Sequence, residues 1–389
     1  MLHVAQISFH VDSQRRAPEQ LLIDWHTVAD LARAAASAGL RVTVIQASMR
    51  EARFTRDGAE YCFIAPHAEG SPLTGSARFA ALLEELAPDV LHVQGLGFAR
   101  EVVELRGLAP CTPILLQDRA NRPPRFWRRG RWRRQASVVN GVLFCAREQA
   151  EPFIRAGVLG TNTPIFEMPG SIPPFAPGDR SAARAATGLH GDPAVLWVAH
   201  LNANKDPLTV LDAISIVARD LPDVRLWCCF GTAPLLSEVQ ARIAASAELR
   251  NRVYLLGRVP RDRVRQLMQA ADLFVLASHR EGGSFSLMEA LACGLPAAVS
   301  DIASSRALLG GERSGAGALW PRGDAVALAD AIRRLAAQPR EPLRARARAQ
   351  FDVELSSAAV GRKLASVYRV VARAGAGVLG ATPAGTVVP

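Results

Sequence analysis

Lysine is nearly absent from this chain: Lys205 and Lys363 are its only two, and arginine supplies every other basic side chain. The formal net charge of +10 would ordinarily point to nucleic acid or an anionic membrane. An arginine excess beside abundant alanine and glycine looks instead like coding bias in a GC-rich bacterial genome. A lysine kept at position 205 against that bias suggests a site that needs a compact ammonium rather than a flat guanidinium fork. No apolar run resembles a transmembrane helix, and the opening MLHVAQISFH lacks the basic start and apolar stretch of an export signal. A cytoplasmic protein is expected. Six cysteines, Cys62, Cys111, Cys145, Cys228, Cys229 and Cys293, show no paired metal spacing and lie mostly in apolar runs, so they read as buried thiols.

What is present suits two domains. The 389 residues are 49% hydrophobic, enough for two cores. Strand-like runs at Val4 to Phe9, Arg41 to Ile45, Val90 to Val93, Ile114 to Leu116 and Val142 to Phe144 alternate with helix-like segments such as Asp24 to Ala38 and Phe79 to Leu86. That alternation predicts an α/β fold with a doubly wound parallel sheet. The Pro- and Gly-dense PGSIPPFAPGDR, Pro169 to Arg180, reads as a linker, and a second strand series begins at Pro193 to Val198. The expected division is 1–172, 173–350, a helical segment 351–373 with an apolar stripe through Val360, Leu364, Val367, Tyr368 and Val371, and a disordered tail 374–389.

The most informative stretch is Ser278 to Ser300, SHREGGSFSLMEALACGLPAAVS, which follows the apolar run Ala271 to Ala277. It reads as strand, glycine-containing loop, helix and strand. Ser284 and Ser286 signal the helix start, with Glu289 three residues after Ser286 as in a capping box, and Gly294 and Pro296 signal its end. The helix N-terminus, with Gly282, Gly283, Ser284, Phe285 and Ser286 before and within it, is an anion site by its N–H groups and dipole.

Seven residues separate Glu281 from Glu289, and Ala-Leu-Ala-Cys-Gly-Leu-Pro follows. This pattern resembles the signature of retaining, nucleotide-sugar-dependent glycosyltransferases of the GT-B fold, family 4 especially. The resemblance implies two Rossmann-like domains facing a cleft, with the last helix crossing back onto the first domain. It implies that Glu281 contacts the donor sugar, that Glu289 binds the ribose hydroxyls, and that the backbone between them holds the diphosphate. A carboxylate suits a diol because it accepts two hydrogen bonds. The segment from Ala199 to Leu208 looks like the family's arginine and lysine pair on the diphosphate, with Lys205 in the lysine place and His200, a departure, in the arginine place. Gly231, Arg258 and Val259 match the family's turns near the nucleotide. No Asp-X-Asp motif occurs, which agrees with side-chain cations and a helix dipole standing in for a metal. No cofactor is implied beyond the nucleotide-sugar co-substrate.

The first domain is less informative. Ligands of such sheets lie beyond the strands' carboxyl ends, which directs attention to His10, His92, Gln94, Gln117, Asp118 and Arg119 as the acceptor side. Two features depart from the family: the glycine-rich loop after the first strand is replaced by Asp12 to Pro18, which has no glycine, and its His-Asp pair appears as Gln117 and Asp118. For His92 a core histidine is the competing reading. A glycan, a lipid-linked glycan and a small molecule all stay open as acceptor. The basic run RPPRFWRRGRWRR, Arg122 to Arg134, has two readings. It is either a peripheral anchor on anionic lipid at the inner face of the membrane or a solvated helix face with its aromatics packed inward. It lacks a nucleic-acid-binding module, and no nucleic acid is expected. Two alternatives to transfer remain: a degenerate GT-B protein that binds nucleotide or a partner, and a sugar-nucleotide epimerase.

Overall fold

The computed structural model describes residues 1–12, 14–68, 70–119 and 122–379. They form two compact units, Met1–Ile172 joined by the chain from Ser357 onward, and Pro173–Ser356.

The first unit carries β1 (His3–Ser8), β2 (Arg41–Ala47), β3 (Ala52–Arg56), β4 (Ala59–Ile64), β5 (Val90–Gln94), β6 (Ile114–Gln117), β7 (Gly141–Phe144) and β8 (Ile165–Glu167). Their order is β3-β4-β2-β1-β5-β6-β7-β8. Every pairing is parallel except that of β3 with β4. β1 is buried along its whole length, as in a strand covered on both faces, with His3, Gln6 and Ser8 buried beside Val4, Ala5 and Ile7. The β3–β4 hairpin turns at Asp57 and Gly58, both in the left-handed region at φ 51° and 78°, the conformation an Asp-Gly turn favours. The helix expected over Asp24 to Ala38 is present as His26–Ser37; a short helix, Pro18–Asp24, precedes it, and the two are separated at Trp25, whose φ −107° and ψ 45° leave the helical region.

The final helix, Ser357–Leu379, follows a π-helical turn at Phe351–Leu355. The segment expected over 351–373 therefore starts later and ends later. Residues 374–379 are helical rather than disordered, and 380–389 lie outside the described residues. Val360, Leu364, Tyr368 and Val371 are buried with Val4, Val42 and Val90. Gly361 permits this docking, because a Cβ there would lie 2.3 Å from the Ala34 carbonyl oxygen of helix His26–Ser37.

The second unit carries β9 (Ala194–Val198), β10 (Arg225–Cys229), β11 (Val253–Gly257), β12 (Leu273–Leu276), β13 (Ala297–Ser300) and β14 (Gly317–Trp320), in the all-parallel order β11-β10-β9-β12-β13-β14. Winding reverses between β9 and β12, which makes the carboxyl ends of these two strands the topological switch point where ligands of such sheets bind. The loops leaving these strands carry Lys205 and Glu281.

Candidate functional site

The two loops at the switch point are fastened to each other. The His279 N–H donates to the Asn204 carbonyl at 2.8 Å, and Asn204 Nδ2 donates to the Arg280 carbonyl at 3.0 Å. His279 Nε2 lies 3.1 Å from Asp206 Oδ2. Asp206 also caps the helix Pro207–Val217, its carboxylate accepting from Thr209 N and Oγ1. Within this frame Lys205 Nζ forms an ion pair with Glu281 Oε1, and the Ser278 hydroxyl donates to the same oxygen at 2.6 Å. The pair is largely withdrawn from solvent, with side-chain exposures of 17% and 12%.

Immediately beyond Glu281 the helix Phe285–Ala292 begins, with Ser284 as its cap: the Ser284 hydroxyl accepts from Leu287 N. The expected capping box of Ser286 with Glu289 is not formed. With Ser284 at the cap, the position three residues on is Leu287, so Glu289 stands two residues beyond it, and Arg261 Nη2 binds its carboxylate at 3.1 Å instead. This helix begins four residues after Glu281, and its first-turn N–H groups not taken by the cap have no partner within the helix, as at any helix N-terminus.

The third corner lies at the ends of β9, β10 and β11. Thr232 N–H donates to His200 Nδ1 at 3.1 Å, which fixes the remaining ring proton on Nε2 in the neutral ring. A Cβ on Gly231 would crowd the His200 ring, standing 3.1 Å from its Cε1, and would lie 3.8 Å from Arg258 Nη2. His200, Gly231 and Arg258 are thus adjacent, and Val259 follows in the same loop. The structure therefore brings Lys205, Glu281 and the Gly282 to Ser286 loop together, with Glu289 on the helix behind. Cys293, at the far end of that helix, is buried, and burial pushes its thiol up to about 12. Cys62, Cys145, Cys228 and Cys229 are buried as expected, whereas Cys111 is exposed, in the loop before β6.

In the first unit the sequence candidates separate. His10 is exposed beyond β1, its ring 5.0 Å from that of Trp25. His92 and Gln117 are buried in the sheet. His92 Nδ1 is 2.7 Å from the Tyr368 hydroxyl, which also accepts from Gln6 Nε2 at 3.1 Å. Burial, assisted by the Arg119 charge, pushes the His92 imidazole down to about 3. It is a neutral core group. Arg119 donates to Gln94 Oε1 and to the Gly170 carbonyl, and burial brings it down to about 10. Asp118 stands beside it at the carboxyl end of β6, its N–H donating to the Leu143 carbonyl.

The residue that sequence reasoning missed is Asp12. Its carboxylate accepts from Gln14 N, Arg16 N and the Arg16 guanidinium, and the Arg16 contact holds it well below the usual carboxylate range. Arg16 binds Asp24 at 2.7 Å as well. A side-chain clamp thus shapes the loop where a glycine-rich turn was expected. The signal was Asp12 followed by Gln14 and Arg16, since an aspartate commonly accepts from N–H groups two residues on. Beside this loop a cavity of about 290 Å³ opens at the carboxyl end of β1, lined by Phe9, Asp12, Arg15, Met49 and Arg100 among others.

Residues 179–351 match the family of glycosyl transferases group 1. A D-inositol 3-phosphate glycosyltransferase of Mycolicibacterium gilvum is 35% identical over 125 residues, 31% of this chain and 28% of that one. The amylovoran biosynthesis glycosyltransferase AmsK of Erwinia amylovora is 29% identical over 192 residues, 47% of this chain and 46% of that one. In both cases the match spans less than half of the relative. Among solved structures, sucrose-phosphate synthase from Thermosynechococcus elongatus superposes with a TM-score of 0.67 at 19% identity over 96% of this chain and 100% of that one. Anabaena HepE in complex with UDP gives 0.67 at 18% over 95% and 100%. These likenesses show the fold, which is GT-B.

Proposed function

From a chain whose residues 179–351 are a group 1 glycosyl transferase domain, we propose an enzyme that transfers a sugar from a nucleoside diphosphate sugar to an acceptor hydroxyl with retention of anomeric configuration. One observation carries the reading: Lys205 and Glu281 are paired at the mouth of the switch point, beside the N-terminus of helix Phe285–Ala292. The donor diphosphate lies against the helix N–H groups and exchanges with Glu281 as the partner of Lys205. Glu281, released from the ammonium, accepts from the sugar hydroxyls, and Glu289 accepts from the ribose. His200, its Nδ1 occupied by the Thr232 N–H, gives its Nε2–H to a phosphate oxygen, and Arg258 adds a second positive charge.

In the reaction the anomeric carbon's bond to the β-phosphate oxygen breaks. The acceptor oxygen bonds to that carbon on the same face, and the hydroxyl proton leaves with the departing diphosphate. Positive charge matched to the leaving group lowers the barrier without a protein nucleophile or a metal. The acceptor, a glycan, lipid-linked glycan or small molecule, binds at the first unit near His10 and the Phe9–Arg100 cavity. The protein works in the cytoplasm.

Thermal unfolding with UDP, GDP, ADP and TDP on wild type and Lys205→Ala tests this. Ligand at about a hundred times its Kd contributes roughly 2.7 kcal/mol and raises Tm by several degrees. The expected result is a shift with one base that the variant loses. HepE's complex with UDP makes UDP the first to try, and no shift with any base would overturn the reading. A nucleotide shift without sugar transfer in a screen of donors and acceptors would support the degenerate protein, and interconversion of free sugar nucleotides the epimerase.

A further inference from the structure

We infer that Arg122–Arg134 docks this protein on an anionic lipid bilayer, with Phe126 and Trp127 entering the interface and the neighbouring arginines lying among headgroup phosphates. The segment has a fixed side and a projecting tip. On the fixed side, Trp132 stacks on Phe153 with ring centroids 6.2 Å apart and planes 14° apart, and packs against the first unit's core. Arg133 Nε donates to the Gly157 carbonyl at 2.9 Å, and Gln135 is buried.

At the tip, Phe126 is 74% and Trp127 60% exposed, their rings edge to face at 4.9 Å, with the Arg125 guanidinium over the Trp127 ring at 5.3 Å. Aromatics beside cations are the side chains that settle at a membrane interface. Between tip and fixed side a hollow of about 390 Å³ is lined by Arg122, Pro124, Arg125, Trp127, Arg128 and Trp132. Its wall presents guanidinium groups and indole rings and no carboxylate, which suits an anionic headgroup over a neutral one.

Charge balance points the same way. Elsewhere in this unit several arginines are matched by carboxylates, Arg16 with Asp12 and Asp24, and Arg53 with Glu60 and Glu85, while Arg106 and Arg147 are taken up by backbone carbonyls. Among the described residues Arg125, Arg128, Arg131 and Arg134 make no ion pair with a carboxylate, and the run contains no acidic residue. Their positive charge is left for something outside the fold.

The test is co-sedimentation of the full chain with phosphatidylcholine vesicles, with and without phosphatidylglycerol. The expected result is binding that needs phosphatidylglycerol, falls with salt, and drops about fivefold in partition coefficient for each of Arg125→Ser and Arg128→Ser. Phe126→Ser with Trp127→Ser should lower it by about tenfold or more, with an unchanged thermal transition because both side chains are exposed. Bromine-labelled lipid should quench tryptophan emission in wild type and much less in Trp127→Phe. Equal binding to both vesicle types would overturn the inference. So would full binding by the folded double aromatic variant, or tighter binding of single-stranded RNA than of vesicles at the same salt. The assay contains no nucleotide, so its outcome stands apart from that of the proposed transfer reaction.

Discussion

Lys205 and Glu281 are joined as an ion pair across the switch point of the second sheet, one from the loop after β9 and the other from the loop after β12. The resting site is therefore neutralised by its own members. In the proposed reaction a donor would enter by exchange, its diphosphate taking the ammonium while its hydroxyls take the carboxylate. Lys205→Ala should abolish the nucleotide-dependent Tm shift and lower transfer by about 10²-fold or more. Lys205→Arg keeps the charge but not the compact head, and should recover less than about a tenth of wild-type kcat/KM. Steady-state kinetics on both variants check this, and full activity of Lys205→Ala would remove the residue from the site.

Glu289 is held by Arg261 rather than by its own helix cap. In Glu289→Gln the amide no longer accepts two hydrogen bonds from a ribose diol, and nucleoside diphosphate should bind about tenfold more weakly. Inorganic pyrophosphate, which has no ribose, should bind as before. Isothermal titration with both ligands separates the two, and an equal loss for both would place Glu289 on the phosphates.

His200 offers its Nε2–H with Nδ1 occupied by Thr232 N–H. His200→Asn should weaken nucleotide binding by about threefold in isothermal titration, and an unchanged Kd would remove the ring from the site.

His92 ties stability of the first unit to pH. Its folded value lies near 3, against an ordinary 6.5, because of burial first and Arg119 second. Between those values the unfolded chain binds a proton that the folded chain refuses, so stability is full above about 6.5 and falls as pH drops toward 3. The contribution should approach about 1.4 kcal/mol per pH unit within that window. Denaturant unfolding of wild type and His92→Gln at several pH values should show a shallower slope in the variant. Tyr368→Phe, which removes the hydroxyl bonded to His92 and Gln6, should cost about 1–3 kcal/mol.

The second unit was the more legible in the sequence because its chemistry is local. The run from Ala271 to Ser300 encodes strand, loop, helix and strand in chain order, and the structure has them as β12, the Gly282 loop, the helix Phe285–Ala292 and β13. Two sites there depended on distant residues and were not readable. Glu289 finds Arg261, and the Lys205 loop is held by Asn204 and His279 through contacts more than seventy positions apart. The first unit hid more. The β3–β4 hairpin was signalled only by Asp57 and Gly58, and the Trp25 break left no proline or glycine to mark it. His92 reads as a site residue by position, yet Tyr368, 276 residues later, closes over it.

That same closing helix sets an order for biogenesis. The first unit is discontinuous: Met1–Ile172 leaves the ribosome early, but Val360, Leu364, Tyr368 and Val371 follow only after all of Pro173–Ser356 has been made. At about 5–20 residues per second the delay is on the order of tens of seconds. Throughout it the groove lined by Val4, Leu31 and Val42 is an uncovered apolar surface on the nascent chain. The continuous second unit can complete its fold first, so the segment synthesised first is the last to be sealed.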